Sequence, residues 1–325
     1  MSEMNILFLT HPYPNYVPDL LLHGLRKLLG ARVVDYPKKE CLYKGVLGLD
    51  PCPDDQLCLN WFPPENTPID RDDILRKIET GYFPFILYDI RALSLFGDFL
   101  PNWPASLVAL IDGEDSPVKR IRTGPYVICR RETDGTDFSL PLPMALPVEI
   151  LKWITSYDAV KKEYSVGFLG SVNEFCYERK VIVEQIAHLY PDSLLATSAV
   201  PSEEKPNPPG RYGRDDYYIH LQKCKIVLSL PGAGYDTFRF WEHAACKAVH
   251  VAEKMPLFIP NDFEHGRHIL RFSGIDELRR IIDGVLENKV PAERLIEQGR
   301  SHLAKFHLTT HRAVYLLDRL KAIRC

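Results

Sequence analysis

The sequence lacks the features that mark membrane-spanning, zinc-binding and disulfide-rich proteins. Its eight cysteines are scattered, none forms a CxxC pair, and no His or Cys cluster lies beside the nearest pair, Cys52 and Cys58. A structural zinc site is therefore not expected, and reduced cysteines within apolar segments are. No stretch approaches the roughly 18 consecutive apolar residues that a membrane-spanning helix needs. We predict a chain without a transmembrane helix or a structural metal.

A strong net charge is also absent. The formal charge is -3 and the pI is near 6.4, which disfavours a general binder of polyanions and makes duplex nucleic acid an unlikely partner. The hydrophobic content of 46% and the charged content of 26% are typical of globular proteins. The first residues, MSEMNILFLTHP, hold a short apolar stretch without a basic leader, which favours a strand over a signal peptide. We expect a soluble, cytoplasmic protein.

Short apolar runs alternate with helical periods along the chain. In the first half, residues 5–11, 31–37 and 83–90 are predicted as buried strands, and the leucines of 19–30 recur at a helical period that stops at Gly30. Strand, helix and strand in this order form the βαβ unit of a parallel sheet. The same alternation restarts in the second half, which predicts a second sheet of the same kind.

Prolines interrupt the pattern at LPLPMALPVEI (140–150), where we place an interdomain linker. The predicted fold class is α/β, with two doubly wound, Rossmann-like domains facing across a cleft. We assign residues 1–148 to the acceptor-side domain and 149–325 to the donor domain, with the last helix returning to the first domain. Ligands of such sheets bind beyond the carboxyl ends of the strands, where the strand order reverses.

Two glycine-containing turns at predicted strand ends of the second half indicate an anion site. Gly170 and Ser171 end one strand, and SLPGAGYDT (229–237) ends another; backbone N–H groups in such turns can bind an anion. The helix that follows carries Arg239 in its first turn and Glu242 one turn later, so both can point the same way. A carboxylate can hold a ribose diol and a guanidinium a diphosphate. Alternatively, the helix dipole alone favours Glu242 there.

The segment GYDTFRFWE (234–242), followed by a small-residue helix and a strand, resembles the donor-site segment of GT-B glycosyltransferases. The exostosin-like and CgeB-like (spore-maturation) branch is the most similar. The match also covers FLGS (168–171), Arg179, His311-Arg312-Ala313 and, upstream, Asp19 to Gly24 before Leu25-Arg26, DGED (112–115), CRRE (129–132) and PLPMALP (141–147).

The resemblance implies a GT-B fold and transfer of a sugar from a nucleotide-diphosphate donor, with no cofactor and no obligatory metal. It implies that Glu242 binds the donor's ribose; uridine is expected as the donor base only because it is the commonest. Many retaining GT-B enzymes carry a further glutamate eight positions earlier, where this chain has Gly234, and this slightly favours inversion. The candidate donor-binding residues are Gly170, Ser171, Arg179, Gly232, Gly234, Tyr235, Asp236, Thr237, Arg239 and Glu242.

An inverting transfer needs a general base on the acceptor side of the cleft. His11 ends the first predicted strand and has a suitable resting pKa. Asp112 stands among other acids, which would raise the pKa of one of them. The two are equal candidates for a catalytic role, and either could instead be a turn residue. Asp19, which precedes the apolar period of the first helix, is interpreted as its N-cap.

Two other functions fit the same pattern. One is a non-catalytic GT-B module that binds a glycan or a nucleotide, and the other is a nucleotide-sugar epimerase of the same architecture. The sequence leaves the acceptor open among glycan, protein and small molecule, and it leaves the oligomeric state open as well.

Overall fold

The structure is a computed structural model, and it describes residues 4–43, 68–96, 106–115, 126–172, 177–198 and 212–324. Within these ranges the chain forms two β-sheets in which every paired strand is parallel to its neighbour. Parallel neighbours need crossover connections, which agrees with the alternation of strands and helices along the sequence.

The first sheet has six strands in the order β2-β1-β3-β4-β5-β6. The strands are β1 (Ile6–Leu9), β2 (Val33–Tyr36), β3 (Phe85–Asp89), β4 (Leu107–Asp112), β5 (Tyr126–Arg130) and β6 (Leu140–Pro141). The helices of this half are α1 (Tyr16–Leu29), α2 (Ile74–Glu79) and α3 (Leu93–Phe96), with short 3-10 turns at Gly30–Arg32, Glu40–Leu42 and Ile90–Ala92. The strand order reverses between β1 and β3.

The second sheet has five strands in the order β11-β10-β9-β7-β8. The strands are β7 (Tyr164–Ser171), β8 (Leu194–Ser198), β9 (Cys224–Ser229), β10 (Val249–Glu253) and β11 (Leu270–Phe272). The helices are α4 (Val148–Ser156), α5 (Tyr177–Leu189), α6 (Arg214–Gln222), α7 (Phe238–Ala245), α8 (Ile275–Leu286), α9 (Ala292–Phe306) and α10 (Thr309–Arg324). Here the order reverses between β7 and β9.

The apolar pattern explains these elements. Strand β1 is buried along its whole length, as expected for a strand covered on both faces. Helix α8 instead buries only Leu278, Ile282 and Val285, at positions i, i+4 and i+7, which is the single stripe of an amphipathic helix. The cysteines at 41, 129, 224 and 246 are free and buried, whereas Cys52 and Cys58 lie outside the described residues.

The final helix α10 packs against α1 of the first half. Gly24 makes this close approach possible, because a Cβ on that residue would overlap the carbonyl group of Thr309. Beside it, Nδ1 of His23 lies 2.9 Å from Oγ1 of Thr309 in a buried hydrogen bond. The two halves are therefore joined through the end of the chain as well as at residues 140–150.

The proline-rich segment 140–150 is more ordered than the linker that the sequence predicted. Leu140 and Pro141 form β6 at the edge of the first sheet, and α4 begins at Val148. Proline is tolerated in an edge strand because only one side of that strand needs hydrogen-bond donors. No helix in the described ranges is both long and apolar enough to cross a bilayer.

Candidate functional site

Arg179 joins the two strand ends at the reversal point of the second sheet. From α5 its guanidinium donates to the carbonyl oxygens of Ser171 (2.7 Å), Pro231 (2.8 Å) and Leu230 (3.3 Å). The residue is only 6% exposed. These carbonyl partners fix the orientation of the guanidinium, so Arg179 holds a cationic group at the place where ligands of such sheets bind.

Arg239 from α7 reaches the same place from the other side. Its Nε donates to the carbonyl oxygen of Leu169 at 2.8 Å. Its guanidinium carbon lies 5.3 Å from the centroid of the Phe168 ring, and that of Arg179 lies 5.8 Å from the same ring. Two guanidinium groups thus lie over the ring of Phe168 towards the carboxyl end of β7. Their positive electrostatic potential favours an anion such as a diphosphate.

The glycines of both turns are explained by these arginines. A Cβ on Gly170 would overlap the guanidinium of Arg239, and a Cβ on Gly232 would lie 2.8 Å from Nη2 of Arg179. Neither glycine has a positive φ, so backbone freedom is not the reason for them. The sequence predicts that these turns expose N–H groups to an anion, whereas in the structure their glycines make room for cationic side chains.

Glu242 is buried and does not project openly into the cleft. It is 2% exposed, and its oxygens accept hydrogen bonds from the hydroxyls of Tyr218 (2.8 Å) and Tyr217 (3.3 Å). Burial raises the pKa of Glu242, an effect that the nearby charge of Arg239 opposes. Burial likewise raises the pKa of both tyrosines well above the ordinary value. Of the two tyrosine bonds, that of Tyr217 is the longer and therefore the easier for a ligand hydroxyl to replace.

Asp236 has a structural task in place of the predicted contact with the donor. It is fully buried; Oδ1 accepts from the indole N–H of Trp241 at 2.8 Å, and Oδ2 accepts from the backbone N–H of Met144 at 2.6 Å. Both oxygens are thus occupied by groups that anchor α7 to the segment after β6. Of the other two predicted residues here, the Tyr235 side chain is exposed, and Thr237 is half-buried directly before α7.

Glu132, which the sequence indicates only as the last residue of the CRRE segment without assigning it a role, lies against the glycine turn. Its carboxylate accepts from the backbone N–H groups of Asp236 (3.0 Å) and Tyr235 (3.2 Å). A Cβ on Gly234 would lie 2.5 Å from Oε1 of Glu132. The N–H groups that were expected to meet a ligand anion are therefore bound by an acid from the first sheet. Only a long-range contact reveals this, because local sequence patterns carry no signal for it.

The acidic turn after β4 is neutralised by arginines. The sequence predicts that the crowded acids of DGED (112–115) raise the pKa of one of them. Instead each acid has its own cation, and Asp112 also accepts from the backbone N–H of Glu114 at 3.2 Å. The pairs are Asp112–Arg130 (3.4 Å), Glu114–Arg91 (2.5 Å) and Asp115–Arg131. Asp112 is thereby less available to an acceptor than the sequence suggested.

His11 follows β1 at the reversal point of the first sheet and is half-buried. Its Nδ1 accepts from the backbone N–H of Tyr13 at 3.2 Å. The fully buried ammonium of Lys39 donates to the carbonyl oxygens of His11 (2.5 Å) and Tyr13 (2.7 Å). Burial raises the pKa of Asp89, at the end of the neighbouring strand β3, against the backbone N–H of Arg91 and the charge of Lys39.

Asp19 is not the N-cap of α1, a position that Asn15 holds. Its Oδ2 accepts from the backbone N–H of Asn15 at 2.9 Å, and Oδ1 pairs with Nζ of Lys39 at 3.0 Å. Burial raises the pKa of Asp19 to about 6 against the opposing charge of Lys39. This pair fixes the loop that carries His11.

No metal centre accompanies these residues in the part of the chain that the structure describes. Among those residues, no group of three or more His, Cys, Asp or Glu side chains is placed to hold a metal ion. The charged groups at the second sheet are instead guanidinium and carboxylate, which bind phosphates and hydroxyls directly.

Comparison with known proteins agrees with this geometry. Residues 179–318 match the model of a family described as glycosyl transferase-like. The match begins at Arg179 and includes the glycine turn with Arg239 and Glu242, but it leaves out the first sheet. A sequence search of curated proteins finds no match.

Solved structures share the fold over nearly the whole chain. HepE from Anabaena in complex with UDP-glucose is 13% identical, with 98% of this chain and 100% of that chain covered and a TM-score of 0.59. A glycosyltransferase from Rickettsia africae is 12% identical over 99% of both chains, with a TM-score of 0.61. Sucrose-phosphate synthase from Thermosynechococcus elongatus is 11% identical over 98% and 99%, with a TM-score of 0.56.

The fold is therefore that of GT-B glycosyltransferases, as predicted. The family match adds that residues 179–318 are glycosyltransferase-like, which agrees with the prediction of an enzyme of this class. The finer assignment to the exostosin-like and CgeB-like branch is not confirmed.

Proposed function

We propose that the protein transfers a sugar from a nucleotide-diphosphate donor to an acceptor hydroxyl without using a metal ion. One observation carries the proposal: Arg179 and Arg239 converge on Phe168 where the strand order of the second sheet reverses. A diphosphate needs positive charge that is already oriented, and these two guanidinium groups supply it.

The ribose is assigned to Glu242. Of its two tyrosine bonds, the one from Tyr217 is longer, at 3.3 Å against 2.8 Å for Tyr218. A vicinal diol that donates to Oε2 would replace Tyr217 while Tyr218 keeps Oε1 in place. Burial then strengthens the new bond, because a charged hydrogen bond is worth more away from water.

The base is assigned to His11. Asp112 is engaged by Arg130 and a backbone N–H group, whereas the imidazole of His11 bonds only to the N–H of Tyr13 within the described residues. An imidazole beside the cleft can accept the acceptor's proton near neutral pH. Attack from this side, opposite the diphosphate, inverts the anomeric carbon.

Uridine is proposed as the donor base. The HepE structures are complexes with UDP-glucose, with UDP, and with UDP and glucose, and we extend this preference to the present chain by analogy. We also propose that the chain belongs to the exostosin-like and CgeB-like branch, because its segment 234–242 resembles the donor-site segment of that branch, and that the protein is cytoplasmic.

Calorimetric titration with UDP-, GDP- and dTDP-sugars tests the proposal. We expect one of them to bind, and Arg239→Gln to weaken it by roughly 30-fold or more, the value of one charged hydrogen bond. Arg280→Gln, which removes an exposed arginine of α8, is the matched control and should change nothing. If the folded wild-type protein binds none of them, the proposal is wrong.

An assay for released nucleoside diphosphate separates an enzyme from a binding module. We expect the bound donor to be consumed when acceptors are supplied, and slowly by hydrolysis without them. Tight binding without turnover across a broad acceptor panel would instead favour the non-catalytic module.

A further inference from the structure

A carboxylate that follows the first sheet binds the backbone of the turn between β9 and α7 (residues 230–237), which we call the donor turn. Glu132, two residues after β5, is 8% exposed. Its two oxygens bind the consecutive N–H groups of Tyr235 and Asp236. This contact is possible because Gly234 has no side chain. A Cβ on that residue would lie 2.5 Å from Oε1 of Glu132. Two neighbouring N–H groups directed at one carboxylate form a backbone nest for an anion.

Arg131 closes the same contact from the opposite side. It is buried, and Nη2 donates to the carbonyl oxygen of Asp236. Nη1 donates to the carbonyl oxygen of Gly113 at 3.3 Å and pairs with Asp115. Its Nε lies 3.6 Å from Oε1 of Glu132. One arginine therefore joins the turns after β4 and β9, and it also neutralises the buried acid beside it.

The contact ties together the parts on which the proposed transfer depends. The turn that Glu132 and Arg131 hold runs directly into α7, which carries Arg239 and Glu242. The turn after β4 that Arg131 also holds lies on the acceptor side. Charged hydrogen bonds in a buried setting are strong and directional, so this contact fixes the distance between the two sides of the cleft.

We propose that Glu132 and Arg131 are positioning residues that hold the donor turn against the acceptor-side sheet. They touch neither substrate; they set the approach of the acceptor hydroxyl to the donor sugar. This inference rests on the proposed glycosyl transfer. A misplacement of about 1 Å costs roughly 100-fold in rate when reacting groups must be aligned.

The variant Glu132→Gln tests the idea, because it keeps the size of the side chain but turns one oxygen into a donor that faces a backbone N–H. We expect kcat to fall at least about tenfold while the dissociation constant of the nucleotide stays within about twofold, since Arg239 and Glu242 are untouched. Glu163→Gln, which removes a half-exposed acid that pairs with Lys223 at 3.1 Å, is the matched control and should leave both values unchanged.

Hydrogen exchange tests the contact itself, without any substrate. The amides of Tyr235 and Asp236 should exchange at least about tenfold faster in Glu132→Gln than in the wild type. Gly234→Ala, which pushes the carboxylate away with both charges intact, should give the same faster exchange and the same loss of kcat. It serves as the second variant if Glu132→Gln does not fold.

The outcomes separate this inference from the proposed function. Unchanged exchange, or faster exchange with unchanged kcat, would overturn the positioning role. A loss of nucleotide affinity equal to the loss of kcat would overturn it too, because Glu132 would then be a donor ligand. If the wild-type protein binds no nucleotide sugar, the proposed function fails, and the exchange result still decides whether the contact exists.

Discussion

Replacing Gly170 by alanine should weaken nucleotide binding without unfolding the protein. The new Cβ would overlap the guanidinium of Arg239, with 2.7 Å to Cζ, and would lie 3.2 Å from Cζ of Phe168. The tip of an arginine is flexible and can swing away, so we expect the free energy of unfolding to change by less than about 1 kcal/mol. The arginine would, however, leave the place where we locate the diphosphate.

The magnitude follows from the bond that is lost. A hydrogen bond to a charged group is worth about 1.5–3 kcal/mol, and a displaced arginine keeps part of its long-range attraction. We therefore expect Gly170→Ala to lose about 1.5 kcal/mol of binding free energy, roughly tenfold in the dissociation constant. Calorimetric titration with the preferred nucleotide measures this directly.

Two comparisons make the result decisive. Gly213→Ala adds a methyl group where no atom of the described residues lies within 4 Å and φ is -59°, so it should bind like the wild type. In a double-mutant cycle, Gly170→Ala should cost little once Arg239 is already glutamine. Wild-type affinity in Gly170→Ala, or additive losses in the cycle, would refute the reasoning.

Three further predictions concern the joint between the halves and the ribose site. Gly24→Ala should lower the unfolding free energy by about 2–4 kcal/mol in urea, because its Cβ meets the rigid backbone of Thr309, whereas Gly284→Ala, with its nearest contact at 3.4 Å, should stabilise by up to about 1 kcal/mol. Partial burial alone would raise the pKa of Glu149, but bonds from two bases of α1 outweigh it and lower that pKa to about 2. An acid whose pKa is lowered by folding stabilises the fold at pH values above its unfolded pKa. Glu149→Gln should therefore lower the free energy of unfolding by about 1 kcal/mol at pH 7, a value that allows for solvent screening of a half-exposed pair. Urea titrations should show this difference vanish as the pH falls from about 4.5 towards 2, and a constant difference would contradict the assignment. Tyr217→Phe should keep nucleotide affinity within about threefold, since a ribose would replace that hydroxyl; a loss as large as one charged hydrogen bond in calorimetry would argue against it.

The fold was largely accessible from the sequence because buried parallel strands are apolar throughout and helices bury one stripe. Strand β1 and helix α8 are clear examples of each pattern. Strand β6 and helix α4 were missed because prolines favour a break in the chain. What orders them is tertiary: β6 pairs with β5, and the N–H of Met144 binds Asp236.

The site was accessible only in part. Local spacing places Arg239 and Glu242 on one helix beside a glycine turn, and the structure keeps that arrangement. Local spacing does not, however, reveal that Tyr217 and Tyr218, on another helix, cover Glu242. Nor does it reveal Glu132 in the nest at Asp236, because the two residues are 104 positions apart. Local patterns thus identify the residues, while their tasks depend on contacts between distant segments.

The most direct test of the central claim compares UDP with uridine in the same calorimeter. If the two guanidinium groups on Phe168 bind the diphosphate, UDP should bind the wild-type protein at least about 100-fold more tightly than uridine. Arg239→Gln should remove much of that difference while leaving uridine unaffected. Equal affinity for UDP and uridine, or an Arg239→Gln variant that still binds UDP like the wild type, would contradict the account.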